Sequence, residues 1–296
     1  MALQKIYYRG NELYSPKYDR VFKAMFISSD LTRLAEFMSC ILSLDIKADG
    51  IAVKSPVLSD EHKDGKLVCL DLKVVLADKS IINVEIQVND EKNMGKRSIY
   101  NASLLMDEQL KSGEDYVNIC PVITINILDY SFLDNHDYHN RFRLKNIKTN
   151  EEMPDANVFE INFIELPKLP KKTGNDKKLL WLKFLSAKTE EDLDMVVAQD
   201  PKYEPVVEKL ISVNANEELR EYMLLQEKIE RDERWKRASG EAKAEERGIE
   251  RALALIEEGV SLAEARKMLG VKSRSPLKNG KNKSAAAKKR PYKRKP

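Results

Sequence analysis

Cysteine, histidine and long apolar runs are all scarce in this chain. It has three cysteines, Cys40, Cys69 and Cys120, and three histidines among 296 residues. An odd number of widely spaced cysteines excludes a disulfide-stapled scaffold, and their spacing matches no zinc site. No segment approaches the roughly 18 consecutive apolar residues of a membrane span, and the start has no signal-peptide core. We therefore expect a cytoplasmic protein with reduced thiols and no membrane partner.

Glycine-rich phosphate loops, nucleotide-binding fingerprints and a Ser-His-Asp arrangement are also absent. What is present is a globular composition, with 42% hydrophobic and 33% charged residues. The net charge of +3 conceals an asymmetry, because residues 271–296 hold 11 Lys or Arg and no acid, whereas the preceding residues carry 40 basic and 48 acidic side chains. The residues before 271 thus carry a net charge of −8, and residues 271–296 carry a net charge of +11.

Such a basic end has too few apolar residues to form a core, so we predict a disordered tail over 271–296. Its positive charge suits the neutralisation of nucleic-acid phosphates, and a purely solubilising role is the alternative. The candidate contacts are those of the densest basic run: Lys288, Lys289, Arg290, Lys293, Arg294 and Lys295.

Hydrophobic periodicity predicts an α/β fold in the first part of the chain. Helical spacing predicts helices at about 16–26, at about 30–44 and over 95–112. Period-two alternation or apolar runs predict strands over 51–58, 67–77, 80–88, 121–128, 141–147 and 157–166. The first three strands form a meander, and the helix that follows is long enough to cross over between parallel strands.

After Pro170 the pattern is helical. Over 216–251, 20 of 36 residues are charged, which predicts one solvated helix or a pair of helices. Residues 249–269 form a small helix-turn-helix pattern around Gly259, with Ser261 and Glu264 as a capping box. A DNA-reading role for this segment is open, although a plain helical hairpin gives the same pattern.

Two carboxylates converge in the predicted hairpin formed by the second and third strands. Alternation puts Asp71 on one face of its strand and puts Glu85 and Gln87 on one face of the next. A short turn over 77–79 makes the pair antiparallel, so both acids can project to the same side. Paired carboxylates repel each other unless a cation lies between them, and oxygen ligands suit Mg²⁺ or Mn²⁺. The alternative is an ordinary hairpin with one solvated polar face.

Several segments in this order resemble one known family. They are Tyr18-Asp19-Arg20-Val21-Phe22-Lys23, Asn83-Val84-Glu85-Ile86-Gln87, Arg97-Ser98-Ile99-Tyr100, Gly113-Glu114-Asp115-Tyr116 with Pro121-Val122-Ile123, and Trp181-Leu182-Lys183-Phe184-Leu185. Together with Asp71, this pattern resembles the Rpn-type recombination-promoting nucleases and transposases of the PD-(D/E)XK nuclease superfamily. The resemblance covers roughly residues 14–200.

The resemblance implies a PD-(D/E)XK core, a mixed central sheet with flanking helices, over 1–170. A helical extension over 171–270 and the basic tail would follow. It implies a metal-dependent DNA endonuclease in mobile-element or recombination biology, acting in the nucleoid, with a homodimer left open. The alternative is a weak or inactive DNA-binding or protein-interaction module that keeps the fold.

The same resemblance assigns roles to individual residues. Asp71 and Glu85 become the Mg²⁺ or Mn²⁺ ligands, and Gln87 takes the place of the superfamily lysine. The accessory candidates are Asp19, Glu36, Arg97 and Tyr100. Two positions depart from the superfamily pattern: Leu70 stands where the pattern has proline, and Gln87 lacks the positive charge that would stabilise the transition state.

Overall fold

The computed structural model describes residues 3–27, 29–54, 57–58, 68–69, 71–257 and 264. The chain divides into two compact units, Met1–Arg231 and Asp232–Pro296. The helices that follow the sheet as far as Arg231 thus lie in the same unit as the sheet. The domain boundaries near 170 and 270 stay predictions.

A mixed six-stranded sheet is the centre of the first unit. Its strand order is β3-β6-β7-β8-β10-β9, and two two-stranded sheets, β1-β2 and β4-β5, accompany it. The strands are β1 Lys5–Tyr8, β2 Asn11–Tyr14, β3 Ile51–Lys54, β4 Val57–Leu58, β5 Val68–Cys69, β6 Leu72–Leu76, β7 Ile81–Gln87, β8 Val122–Leu128, β9 His139–Phe142 and β10 Phe159–Glu165. The predicted meander is present as β3-β6-β7, and β8 lies parallel to both β7 and β10 in mid-sheet, which explains its continuous apolar run.

Helices flank the sheet on both faces. The α-helices of the described residues are α1 Asp19–Phe26, α2 Thr32–Leu42, α3 Met94–Asp107, α4 Lys177–Ser186, α5 Glu190–Gln199, α6 Glu204–Asn214 and α7 Glu217–Glu257. The helix α3 is the crossover between the parallel strands β7 and β8, and it covers one face of the sheet. The opposite face, which includes Val74, Ile82 and Ile125, packs in one core cluster with α1, α2, α4 and α6. The predicted α/β class with flanking helices is confirmed.

Several element boundaries differ from the sequence prediction; the strand expected over 141–147, for example, is β9 His139–Phe142. The first helix begins at Asp19 and not near Pro16, because the Tyr18 N–H donates to the Ser15 carbonyl in a turn and Tyr18 becomes the N-cap. The third helix ends at Asp107, since the Gln109 side chain pairs with both backbone groups of Cys120 and draws the chain off the helix axis.

The predicted strand over 67–77 is divided between two sheets. Its first part, β5, pairs with β4, whereas β6 pairs with β3 and β7. The chain therefore changes pairing partner close to Asp71, and this residue lies at the very start of the large-sheet segment.

The charged segment over 216–251 belongs to a single helix, α7, which continues through Gly240. The predicted helix-turn-helix beyond Glu257 and the basic tail lie outside the described residues. No helix in the described ranges is long and apolar enough to cross a membrane. Cys40 and Cys120 are free and half-buried, whereas the apolar residues that flank them in the sequence predict full burial.

Candidate active site

The hairpin of β6 and β7 brings the two predicted acids together. The register pairs Leu72 with Val84 and Val74 with Ile82, so its continuation by one residue sets Asp71 opposite Glu85. The Asp71 carboxylate accepts a hydrogen bond from the Ile86 backbone N–H at 2.9 Å. This bond ties Asp71 to β7 just before β6 begins.

This polar face of the hairpin is buried, which excludes the ordinary hairpin with a solvated face. Glu85 is 0% exposed and Asn83 is 1% exposed. The Glu85 Oε1 atom accepts hydrogen bonds from the Asn101 amide at 2.6 Å and from the Asn83 amide at 3.3 Å. The Arg97 guanidinium lies 3.3 Å from Oε2, but this oxygen has no hydrogen bond among the described residues. Glu85 is therefore a buried carboxylate with one oxygen held by two amides and the other met by the Arg97 charge alone.

Asp71 carries the largest electrostatic perturbation of the site. Burial, followed by the neighbouring charges of Asp19 and Glu85, raises the pKa of its carboxyl group from the usual 3.8 to about 7. The Ile86 N–H and the Lys23 ammonium oppose that shift. Three acids thus interact within a poorly solvated site, and a bound cation would relieve their repulsion.

Asp19 joins this group from the first turn of α1. Lys23, one turn further along the same helix, lies 2.8 Å from Asp19 Oδ1, an oxygen that is buried without a hydrogen bond. The structure therefore places a lysine beside the acids. Lys23 belongs to the motif over residues 18–23 but has no role predicted from sequence. The sequence pattern also does not identify Asn83 and Asn101 as partners of Glu85. Asp19 and Lys23 are four residues apart on a predicted helix, and this spacing is the sequence feature that could have placed Lys23 beside Asp19.

Gln87 and Arg97 adjoin the acids, whereas two other candidates do not. The Arg97 guanidinium donates to Gln87 Oε1 at 3.4 Å while it also lies near Glu85. Tyr100, also on α3, is 43% exposed. Glu36 is exposed on α2, where its charge acts on Cys40 and Tyr203 and not on Asp71. Neither residue has a contact with the acids in the described part of the chain, and the tail candidates lie outside it.

The residues present fit a divalent cation. In the described ranges no group of three or more His, Cys, Asp or Glu side chains stands ready to hold a metal ion. Mg²⁺, however, usually keeps several waters and needs only one or two protein carboxylates. Asp71 and Glu85 supply two, and Glu85 Oε2, a buried oxygen without a hydrogen bond among the described residues, is the kind that a cation would satisfy, whereas Asp19 is already paired with Lys23.

Comparison with known proteins agrees with this geometry. No curated protein and no solved structure matches the chain significantly. A family model does match, over residues 16–240, and it describes a PD-(D/E)XK nuclease family transposase. This match includes the acid-bearing hairpin, the covering helix α3 and the helices α4 to α6, which is most of the chain. The chain therefore belongs to the PD-(D/E)XK nuclease family transposases.

Proposed function

We propose that this protein cleaves phosphodiester bonds in DNA with the help of a divalent cation, Mg²⁺ or Mn²⁺, held by Asp71 and Glu85. The observation that carries the proposal is the pairing of these two carboxylates across β6 and β7, where Glu85 is buried, Asp71 is half-buried, and Glu85 Oε2 faces the Arg97 guanidinium without a hydrogen bond among the described residues. Burying two carboxylates together costs free energy, and a bound cation would offset that cost. An association with recombination or mobile elements follows from the family and is part of the same proposal.

A cation at this site would offset charge on the scissile phosphate and lower the pKa of a bound water. The protein's own groups have distinct tasks. Asn101 and Asn83 fix the orientation of Glu85, and the Ile86 N–H fixes that of Asp71. The Gln87 amide orients a water or a phosphate oxygen. Arg97, which contacts both Glu85 and Gln87, holds the two side chains in a common orientation.

The test is nicking of supercoiled plasmid DNA by the purified full chain. We expect cleavage with Mg²⁺ or Mn²⁺ and none with EDTA. Asp71→Asn and Glu85→Gln each remove one negative charge with little change in size, and each should lower the rate at least about 100-fold. Asp78→Asn makes the same chemical change at an exposed position of the same hairpin and should be neutral. Cleavage that persists in Asp71→Asn would place the activity elsewhere.

A second candidate function is binding without cleavage. It is favoured by the partners that already surround Glu85, namely Asn83, Asn101 and Arg97, and by the lack of a positive charge at Gln87. In this case the wild type should bind duplex DNA equally in Mg²⁺ and EDTA and should never nick it. The double change Asp71→Asn with Glu85→Gln should then leave binding intact.

A further inference from the structure

A cavity of about 680 Å³ lies between α1, α6 and the first turns of α7. Three cationic side chains line it: Arg20 and Lys23 from α1 and Lys209 from α6. Among the described residues that line it, Glu218 is the one carboxylate. The cavity is therefore electropositive, whereas the adjoining site is acidic.

Two of these three cations are not neutralised. Lys23 is paired with Asp19, but neither Arg20 nor Lys209 forms an ion pair with any residue the structure describes. The Arg20 guanidinium stacks over the Tyr222 ring, with its central carbon 4.4 Å from the ring centroid. Stacking holds the guanidinium plane in position while leaving its in-plane N–H groups free for an anion.

Lys23 and Asp19 connect this cavity to the acids. Both lie on α1, and Lys23 lines the cavity while it contacts Asp19 at 2.8 Å. Asp19 and Lys23 both act electrostatically on Asp71. Arg20 and Lys209 thus share the cavity lining with Lys23, the residue whose ion pair with Asp19 joins this lining to the acids.

We infer that the cavity binds backbone phosphates of DNA next to the bond that is cleaved, with Arg20 and Lys209 as the phosphate contacts. This inference rests on the proposed function, because it names how that site holds its substrate. It also supplies what the acids lack, since a carboxylate cluster repels DNA unless positive charge lies near it. Arg20 suits the bidentate contact with a phosphate, and Lys209 adds a point charge.

The test is the salt dependence of binding to a 20-base-pair duplex, measured by fluorescence anisotropy with the full chain in EDTA. Each lost phosphate contact should reduce the slope of log affinity against log salt by about 0.9. The double variant Arg20→Gln with Lys209→Gln should therefore flatten the slope by about 2 units. Its matched control is Lys145→Gln with Lys148→Gln, which removes two exposed charges after β9, three strands away from β7. The control should keep the wild-type slope.

Two further variants guard against a folding artefact. Arg20→Lys with Lys209→Arg keeps both charges and should recover most of the slope. Ser212→Asp adds a negative charge at an exposed position of the cavity wall and should weaken binding without removing any contact. An unchanged slope in the double glutamine variant, an equal loss in the control, or no effect of Ser212→Asp would each overturn the inference.

Inorganic phosphate at matched ionic strength tests whether the cavity binds free phosphate or the backbone phosphates of DNA. If phosphate binds the wild type through Arg20 and Lys209 yet leaves duplex binding unchanged, the cavity takes free phosphate and not DNA, and the inference is wrong. Because binding is measured in EDTA, the result does not depend on cleavage. DNA binding that obeys these expectations without any nicking would reject the proposed function alone, and nicking with an unaffected slope would reject this inference alone.

Discussion

Glu85 shows how one buried carboxylate can be kept in a sheet. Its position in β7 is determined by the hairpin register, but its orientation depends on two amides, one from its own strand and one from α3. Hydrogen bonds to a charged group are stronger than neutral ones, and their loss leaves an acceptor buried without a donor. The amides are thus part of the site although they have no chemistry of their own.

The shortest of these bonds gives a stability prediction. Asn101→Ala removes the donor 2.6 Å from Glu85 Oε1 and should lower the free energy of unfolding by about 1–3 kcal/mol. Ser103→Ala, at an exposed position of the same helix, should change it by less than about 0.5 kcal/mol. Urea denaturation followed by circular dichroism measures both. Equal effects of the two variants would mean that the Asn101 amide has no special part in holding Glu85.

Asp71 makes the stability of the metal-free protein depend on pH. Its pKa is about 7 in the folded chain against an ordinary 3.8, so between these values the folded state holds a proton that the unfolded state has released. The free energy of unfolding should therefore fall as pH rises from about 4 to 7 and level off above it. At 1.36 kcal/mol per pKa unit, the loss reaches at most about 4 kcal/mol.

Asp71→Asn should abolish this dependence. The variant should be more stable than the wild type at pH 8 in EDTA and should lose that advantage near pH 4. Added Mg²⁺ should stabilise the wild type at pH 8 but not the variant, because the cation favours the ionised carboxylate. Unfolding curves at five pH values measure the difference, and parallel curves for the two proteins from pH 4 to 8 would contradict the assignment.

At the scale of elements, the hairpin could be predicted from sequence, but the burial of its polar face by α3 could not. Alternation from Leu72 onwards and the short turn after Ala77 determine which side chains share a face, so the Asp71 and Glu85 pairing follows from local pattern. The burial of that face depends on Asn101 and its neighbours in α3. Such contacts between elements leave no periodic signal, and the acids therefore looked compatible with a solvated surface.

The same limit applies to α4, since the spacing of Leu179, Trp181 and Leu185 and their neighbours in the sequence predicts a helix with only one apolar face. In the structure the helix is enclosed on all sides, with Leu179, Leu180, Trp181, Leu182, Phe184 and Leu185 all buried. Trp181 contacts the rings of Phe26, Phe37, Phe184 and Tyr203, which come from three other elements as well as from α4 itself. Sequence shows that a helix is apolar, but not that other helices cover its remaining sides.

This packing predicts that α4 stabilises the whole first unit. Trp181→Ala should lower the free energy of unfolding by about 3–5 kcal/mol, since it leaves a large cavity in a shared core. Met195→Ala, on α5 and 44% exposed, should be close to neutral. Guanidinium denaturation should show one transition for helix and sheet signals alike. Two separate transitions would instead favour the predicted boundary near residue 170.

At the scale of the whole molecule, charge is distributed so that attraction to DNA must be local. The residues before 271 carry a net −8, and residues 271–296 carry +11 without an acid. Long-range attraction from such a body would be weak, because negative charge repels the phosphate backbone. The cavity with Arg20 and Lys209 provides positive charge near the acids, whereas the end of the chain provides it independently of sheet geometry.

Deletion of residues 271–296 should therefore flatten the salt dependence of duplex binding by several units, since each phosphate contact contributes about 0.9. A full-length variant with Gln at Lys288, Lys289, Arg290, Lys293, Arg294 and Lys295 separates charge from length and should lose a large share of the same slope. Combining the deletion with Arg20→Gln and Lys209→Gln should remove a further 2 units or so, because distant contacts contribute additively. Stabilisation by Mg²⁺ through Asp71 should persist in the deletion variant, because pairing between β6 and β7 determines the hairpin register. If the truncated protein binds DNA as tightly and with the same slope, the tail is a solubilising end and the folded unit alone carries the affinity.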